Sequence, residues 1–439
     1  MKRYKLFVVL GMLVVGLTLV VRSCHPHRTL PPDVAPAAIG YRLNDSIRNA
    51  CSESPATARM ERSVRNWMAR HNIRGATLAV MRHERLVYCK GFGWADAEAQ
   101  RPVEAGDIFR IASASKLITA IGIMKLCDEG RLTTDALVFG PEGILGPRLF
   151  PEIKDKRAEK ITVRHLLNHT AGFSRRLGDP MFRSADVLRW TGRTRTLTAD
   201  EVIAFQLGQR LRDNPGGAAQ YSNVGYLILS RVIEEVSGMS YESYIRKHVL
   251  YPAGCYDMYI ARNSYDERHP REVKYYGHDP GEVIASYDGS GAMRPREYGG
   301  NNITGLQGAG AWVCSSAELM RLVASIDGRS RVPDILSARS IAEMKQIRRK
   351  GDFGYGWARC QAASGHLVRT GTMSGTCAYI DYRPGGLSFV LITNTSSYRG
   401  ASFTNSIGRT IRDALARVER WPDERDLFTA VPHEEADRR

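Results

Sequence analysis

The segment 109–130, FRIASASKLITAIGIMKLCDEG, places two hydroxyls and an amine within four residues, ahead of an apolar run. Ser113 stands where a helix is predicted to start, among backbone N–H groups that lack intrahelical partners and favour an oxyanion. Lys116 follows three residues later on almost the same helical face. Burial of its ammonium lowers the pKa, and a neutral amine can take the proton of the Ser113 hydroxyl. The pattern predicts a serine nucleophile with a lysine base, while Ser115 continues the turn.

A second stretch, PGGAAQYSNVGYLILSRVIEEVSG, can take part in the same chemistry. Tyr221 and Asn223 come directly before a predicted helix, and the alternation around Ser222 projects both toward one side. A phenol beside a cationic amine ionises more readily and relays protons, while an amide orients a substrate carbonyl or holds the lysine. The alternative interpretation is a helix cap with a packed tyrosine.

A third stretch, HLVRTGTMSG, reads as a strand with Arg369, Thr370 and Gly371 in succession. Glycine permits a close backbone approach, and the N–H of Thr372 would complete an oxyanion hole with that of Ser113. A strand with a bulge is the alternative here. For the first stretch the alternative is a capping serine followed by a lysine that extends its amine to solvent.

In this order the three groups resemble the motifs of the serine β-lactamase and penicillin-binding protein superfamily, in its class C and DD-peptidase branch. The groups are Ser113-x-x-Lys116, Tyr221-Ser222-Asn223 and Arg369-Thr370-Gly371. The stretches LLNHTAGF, PGG, GYLILSRVIEEVSGMSYESYI and GAGAWVCSSAELMRLV are also similar to that branch. The resemblance covers roughly residues 60 to 415.

The resemblance implies an α/β (α+β) fold, in which an antiparallel sheet flanked by helices is built from both ends of the chain and packs against an all-helical lobe. The active site would lie between the two. Ser113 would be the acylated nucleophile, with Lys116 and Tyr221 as the proton-transfer pair. The implied binding roles are substrate positioning and lysine holding by Asn223, an anion or carboxylate contact by Arg369, and a ligand hydrogen bond by Thr370. No metal or organic cofactor is required.

One departure concerns the third motif, which usually begins with Lys or His and here begins with Arg369. Arginine keeps the positive charge but offers a planar fork, to which a carboxylate can dock bidentately. The chain also lacks a glutamate motif of the class A kind, so deacylation would rest on Tyr221 and Lys116. True β-lactamase turnover is therefore not implied.

Together these features predict a serine hydrolase that acts through an acyl-enzyme on amide or ester bonds. The candidate substrates, in order, are cell-wall peptides ending in D-amino acids, small esters, and β-lactams. The alternative is a non-catalytic or slowly turning over penicillin-binding or sensing module, which Arg369 favours and the intact nucleophile and proton-transfer residues oppose. An ordinary α/β-hydrolase would carry GxSxG, which the sequence does not contain.

The composition of the chain limits the kinds of partner that it can bind. The 439 residues are 43% hydrophobic and 25% charged, enough for a large core. The net charge of +16 is spread over scattered Lys and Arg residues, and no RNA-binding signature or zinc-finger spacing is present, which argues against nucleic acid. The eight cysteines form no CxxC pair, which argues against a structural zinc site. The partner that remains expected is a small-molecule or peptide substrate. The sequence leaves the oligomeric state open.

The amino-terminal sequence predicts that the protein is exported from the cytoplasm. Lys2, Arg3 and Lys5 precede sixteen uncharged residues, 6–21, and then Arg22. This is the pattern of a signal sequence or short membrane anchor, and the missing small-x-small cleavage site favours an uncleaved anchor. Arg22, two residues before Cys24, argues against lipidation of that cysteine. We expect the body to lie in the cell envelope, on the periplasmic or extracytoplasmic face.

The remaining sequence divides into segments by composition and periodicity. The predicted helices and strands include a helix at MERSVRNWMARHNI, a hairpin turning at His83 and Glu84, and a buried helix from Lys116 to a stop at Gly130. The predicted segments are an anchor 1–22, a linker 23–58, a hydrolase domain 59–420 with a sheet lobe (59–130 and 300–420) and a helical lobe (131–299), and a charged tail 421–439.

Overall fold

A seven-stranded antiparallel sheet carries the fold. The computed structural model describes residues 42–429, except 280, 348, 350 and 398. The strands in sheet order are β3 (Arg101–Pro102), β2 (Arg85–Asp96), β1 (Gly75–Arg82), β12 (Leu387–Thr393), β11 (Thr376–Tyr382), β10 (His366–Met373) and β9 (Arg359–Gln361). Because β1 pairs with β12, the two ends of the chain meet in the middle of the sheet, as predicted.

The first hairpin forms where the sequence predicts it. His83 and Glu84 connect β1 to β2, and both have left-handed backbone conformations, with φ of 51° and 57°. Two successive residues with positive φ make the turn whose twist matches that of the flanking strands. The hairpin prediction is therefore confirmed.

Helices cover both faces of the sheet. On one face α2 (Ala58–Arg70) packs beside α12 (Gly400–Leu415), where the ring of Trp67 stacks on that of Phe403 at 5.8 Å. On the other face α10 (Ser316–Ala324) packs against β1 and β12, and α3 (Ser115–Asp128) belongs to the same buried cluster. A three-stranded sheet joins β4 (Phe109–Arg110), β8 (Trp312–Cys314) and β5 (Tyr259–Ile260) next to the start of α3.

The interior helix α3 is buried on nearly all sides, as its composition predicts. Gly122 leaves room for the side chain of Ile245, because a Cβ at this position would overlap the Ile245 side chain. Gly130 ends the helix with φ of 69°. Packing on every side fixes the direction of α3 and therefore the position of the residues at its first turn.

Helices are the main regular structure of the segment 131–299, which also contains long loops. Its α-helices are α4 (Val163–Leu167), α5 (Ser184–Thr191), α6 (Ala199–Leu207), α7 (Asn223–Ser237), α8 (Tyr241–Ile245) and α9 (Arg296–Gly299). The remaining described α-helices are α1 (Leu43–Ser46) and α11 (Ala338–Met344). The prediction of an all-helical lobe is corrected by a two-stranded ribbon of β6 (Val283–Ala285) and β7 (Met293–Pro295), because a Gly- and Asp-containing turn lies between two short extended stretches.

Both predicted ends of the folded domain extend further than expected. In the predicted linker, residues 42–58 pack on the body: Leu43 and Ile47 are buried, and the Asn44 amide donates to Asp257 and Glu318 at 3.3 and 3.2 Å. In the predicted tail, Trp421 and the pair 427–428 are buried. A few apolar side chains inside a polar, proline-rich or charged stretch are enough to dock each segment.

The predicted anchor 1–22 lies outside the described residues. Within the described part of the chain, every helix is too short or too polar to cross a bilayer. The anchor therefore stays a prediction.

Candidate active site

The predicted nucleophile lies at the entry to α3. Ser113 is the middle residue of a 3-10 turn, Ala112–Ala114, that runs directly into the helix, and it is half-buried. Ala112 has φ of 46°, a left-handed conformation that is unfavourable for a residue with a Cβ. Strained backbone of this kind clusters at functional sites, and here it sets the direction of the Ser113 side chain.

Lys116 is fully buried beside Ser113, as the spacing predicts. Its Nζ lies 3.2 Å from the Ser113 Oγ and donates to the Asn223 Oδ1 at 2.7 Å and to the Ala309 carbonyl at 2.5 Å. Burial lowers the pKa of Lys116 to about 8, against the opposing influence of Tyr221. The amine is therefore partly neutral near neutral pH and can accept a proton.

Tyr221 reaches the same oxygen from the helical lobe. Its hydroxyl lies 2.6 Å from the Ser113 Oγ, and its ring packs on His169, with centroids 4.6 Å apart. Burial raises the pKa of Tyr221, but the positive charges of Lys116 and Arg369 outweigh burial and leave the pKa below its usual value. The Ser113 hydroxyl thus has two possible proton acceptors, which titrate as a pair.

Asn223 opens α7 and holds the lysine. Its Oδ1 accepts from Lys116, and its Nδ2 donates to the Asp179 carboxylate at 2.7 Å. Because a carboxylate takes the amide nitrogen, the carbonyl oxygen must face the lysine. Asp179 was not among the predicted site residues, since it lies 44 positions away in a loop where an aspartate reads as an ordinary cap of a 3-10 turn.

Two more contributors were missed. His169 belongs to the stretch LLNHTAGF but was not assigned a role; its Nδ1 accepts from the Ser222 N–H at 3.2 Å, and its carbonyl accepts from the Gln220 N–H at 2.8 Å. It therefore fixes the segment that carries Tyr221. The carbonyl of Ala309 was missed because every residue type has a backbone carbonyl, so the sequence gives no sign of it. Two residues earlier, Gln307 has φ of 40° and ψ of −125°, an unusual conformation that shapes this turn.

Strand β10 brings the third motif to the nucleophile. A side chain at Gly371 would overlap the Ile111 carbonyl and press on the Ala114 N–H, so this glycine allows the strand to touch the turn that carries Ser113. This close approach agrees with the sequence prediction. Thr370 and Thr372 flank the glycine, and both are half-buried.

The Thr372 N–H points to an uncovered edge of β10. Met373 and Thr376 flank a two-residue turn, so alternate residues back from Met373 bond to β11, and the N–H groups of Thr370 and Thr372 face the other edge. On that edge β9 pairs only with 366–368. The direction of the Thr372 N–H is therefore compatible with the predicted oxyanion hole.

Arg369 differs from its predicted surroundings. The residue is 1% exposed, and its Nε and Nη2 both donate to the Ser113 carbonyl, at 2.8 and 2.5 Å. Nη2 also lies 3.4 Å from the Tyr221 hydroxyl. A side chain predicted to contact an anion or carboxylate is instead engaged with the backbone of the nucleophile itself.

The assembled groups can activate and stabilise an acyl transfer. Ser113, Lys116, Tyr221 and Asn223 are connected by direct hydrogen bonds, although they come from two distant parts of the chain. Within the described residues, no group of three or more His, Cys, Asp or Glu side chains is arranged to hold a metal ion. The arrangement is a hydroxyl flanked by an amine and a phenol, next to the cationic side chain of Arg369.

The pH dependence of Ser113 acylation follows from the lysine. We expect the acylation rate to rise about tenfold per pH unit below pH ~8 and to level off above it, because the neutral fraction of Lys116 rises through its pKa of about 8. The measurement is the labelling rate with a fluorophosphonate between pH 5.5 and 9.5. A rate independent of pH across this range would contradict a proton-accepting lysine.

The chain is similar to known proteins over most of its length. The Beta-lactamase family model matches residues 60–406. Penicillin-binding protein 4* of Bacillus subtilis (strain 168) is 27% identical over 300 residues, 66% of this chain but only 60% of that protein's length. Esterase EstB of Burkholderia gladioli is 27% identical over 385 residues, 82% of this chain and 94% of that protein.

Solved structures show the same architecture. The octameric penicillin-binding protein homologue from Pyrococcus abyssi matches with a TM-score of 0.61 and 25% identity, over 86% of this chain and 80% of that one. The D-amino acid amidase from Ochrobactrum anthropi SV3 matches with a TM-score of 0.64 and 22% identity, over 84% of this chain and 100% of that one. The mixed fold of antiparallel sheet and helices is therefore that of these proteins.

Proposed function

Because the chain belongs to the Beta-lactamase family, we propose that it is a serine hydrolase that cleaves ester or amide bonds through an acyl-enzyme. The observation that carries the proposal is the position of the Ser113 Oγ, within 2.6 Å of the Tyr221 hydroxyl and 3.2 Å of the Lys116 amine. A serine hydroxyl becomes an effective nucleophile when a base lies within hydrogen-bond reach.

In the proposed reaction Ser113 attacks the carbonyl carbon, and its proton passes to Lys116 or Tyr221. The carbonyl oxygen becomes an oxyanion that the backbone N–H groups of Ser113 and Thr372 stabilise. When this intermediate collapses, the bond from the carbonyl carbon to the leaving alcohol or amine breaks, and the protonated partner gives its proton to that group. The acyl group stays bonded to the Ser113 Oγ. Water, deprotonated by the same pair, releases the acid and restores the free serine.

The names of the relatives support a hydrolase and leave its substrate open. One is an esterase and another a penicillin-binding protein. Small esters, peptides ending in D-amino acids, and β-lactams are therefore the candidate substrates among which a test must choose. We further propose that the enzyme works outside the cytoplasm, held at a membrane by segment 1–22, because that segment has the composition of an anchor.

A turnover panel tests this function. The purified protein is given a short-chain nitrophenyl ester, a peptide ending in D-Ala-D-Ala, and nitrocefin, and both the acylation burst and the steady-state rate are measured. We expect a burst that matches the enzyme concentration, followed by steady hydrolysis of at least one compound. A stoichiometric burst without turnover would favour the sensing module instead, and the absence of any acylation of Ser113 would reject both.

A further inference from the structure

The guanidinium of Arg369 already has a partner. Its Nε–H and one NH2 group hold the carbonyl of Ser113 in a two-pronged hydrogen bond, and the residue is almost completely buried. From these contacts we infer that Arg369 positions the nucleophile and does not receive a substrate carboxylate, so that the site selects esters and amides with no carboxylate next to the scissile bond. This inference rests on the proposed function and names its substrate class.

Recruitment of Arg369 by a substrate carboxylate would disrupt the nucleophile. Of the two guanidinium edges that fit a carboxylate, the side edge formed by Nε and Nη2 is already bonded to Ser113. The end edge, Nη1 with Nη2, shares Nη2 with this bond, and the residue is 1% exposed. If the guanidinium turned away, the partly buried Ser113 carbonyl would lose both of these donors, which is unfavourable for an acceptor removed from water. The same movement would take the positive charge away from Tyr221, whose pKa it helps to lower. Binding by this route therefore weakens the machinery that must react.

The neighbouring donors on β10 carry no charge. The Thr372 hydroxyl is paired with that of Thr404 on α12, while the Thr370 hydroxyl is half-exposed and makes no side-chain hydrogen bond within the described residues. A lone hydroxyl suits a neutral carbonyl or amide, since a carboxylate removed from water needs charged or multiple donors.

A carboxylate also occupies the opposite side of the site. Asp179 is half-buried and bonded to the Asn223 amide, the group predicted to position substrate. A second negative charge beside it would be repelled. The contacts around the nucleophile thus favour uncharged groups on the substrate at both places.

A matched pair of substrates tests the inference. Two thioesters share a benzoylglycyl acyl group and differ only in the leaving group, which is thioglycolic acid in one and thioglycolamide in the other. Thiol release is followed with the full-length protein. We expect kcat/KM for the amide to exceed that for the acid by at least about tenfold, because the acid must leave its carboxylate without a charged partner. Equal values, or a preference for the acid, would overturn the inference.

Variants separate positioning from binding. In Arg369→Met we expect kcat to fall for both thioesters by the same factor while the ratio of their KM values stays the same; Arg369→Lys should recover part of the loss because it keeps one donor. A rise in KM confined to the acid would show that Arg369 binds the carboxylate and overturn the inference. If Arg369→Met does not fold, the inference is tested by the KM values of Arg369→Lys and by the wild-type ratio of kcat/KM for the two thioesters.

Arg399 provides a control, because it is a second guanidinium at the start of α12, five positions before Thr404. Arg399→Gln should leave the ratio of kcat/KM for the two thioesters unchanged. A rise in KM for the acid alone would reveal another carboxylate site and overturn the inference. Intact-mass detection of acylated Ser113 distinguishes a failure of this inference from a failure of the proposed function. If neither thioester acylates Ser113, the proposed function itself fails and the inference falls with it.

Discussion

Replacement of Ser113 by alanine is expected to abolish covalent labelling by a fluorophosphonate and to lower hydrolysis by on the order of 10⁵-fold or more. In the proposed reaction the Ser113 Oγ forms the acyl bond, and we expect its partners Lys116 and Tyr221 not to replace it from their positions. Labelling is measured by intact mass and hydrolysis by release of nitrophenol. Because Ser113 is half-exposed, water can replace the lost hydrogen bonds, and we expect the melting temperature to stay within about 4 °C of wild type.

Ser115 is the matched control for this prediction. It lies two residues along the same turn, is fully buried, and its Oγ accepts from the Trp312 N–H at 3.1 Å. Ser115→Ala should therefore lower the melting temperature and leave labelling intact, because the donor it satisfies is structural. Unaltered labelling in Ser113→Ala would mean that another residue is the nucleophile.

Removal of the amine at Lys116 is expected to slow acylation by about 10²- to 10⁴-fold, the range typical of a lost general base. The Lys116→Met variant keeps the apolar stem inside the core but leaves the Ala309 carbonyl and the Asn223 amide oxygen without their donor. It should also flatten the pH dependence between pH 6 and 9. Single-turnover labelling across this range measures both effects.

Lys125→Met tests whether the loss is specific to position 116. Lys125 lies on the same helix and donates from the opposite end to the Ile335 carbonyl at 3.1 Å, so its replacement removes a similar hydrogen bond far from Ser113. We expect this variant to lose some stability and to keep the acylation rate and its pH profile. A normal acylation rate in Lys116→Met would transfer the base role to Tyr221.

Local patterns were strong predictors of the elements around the site. The hairpin at His83 and Glu84, the buried helix after Ser113 and the helix that follows Tyr221 all form as predicted. In each case neighbouring residues carry the signal: turn residues that accept positive φ, an apolar run, or a glycine stop. The predicted ends of the domain were wrong because a few buried residues, such as Leu43 and Trp421, are enough to pack an otherwise polar segment on the body of the protein.

The sequence by itself determined the types and order of the reactive groups: a serine and a lysine one helical turn apart, a tyrosine and an asparagine before a second helix, and Arg369 on a strand. Their chemistry depends on residue type and on spacing within one element, which the chain records directly. The likeness to a known family followed from the same order.

Only the tertiary structure decided what each group faces. It turned Arg369 toward the Ser113 carbonyl, added Asp179 and His169 to the site, and supplied the carbonyl of Ala309 as a partner for the lysine. These contacts join positions far apart in the chain, and several involve backbone atoms that all residue types share. Long-range packing sets such distances, so no local pattern in the sequence carries them.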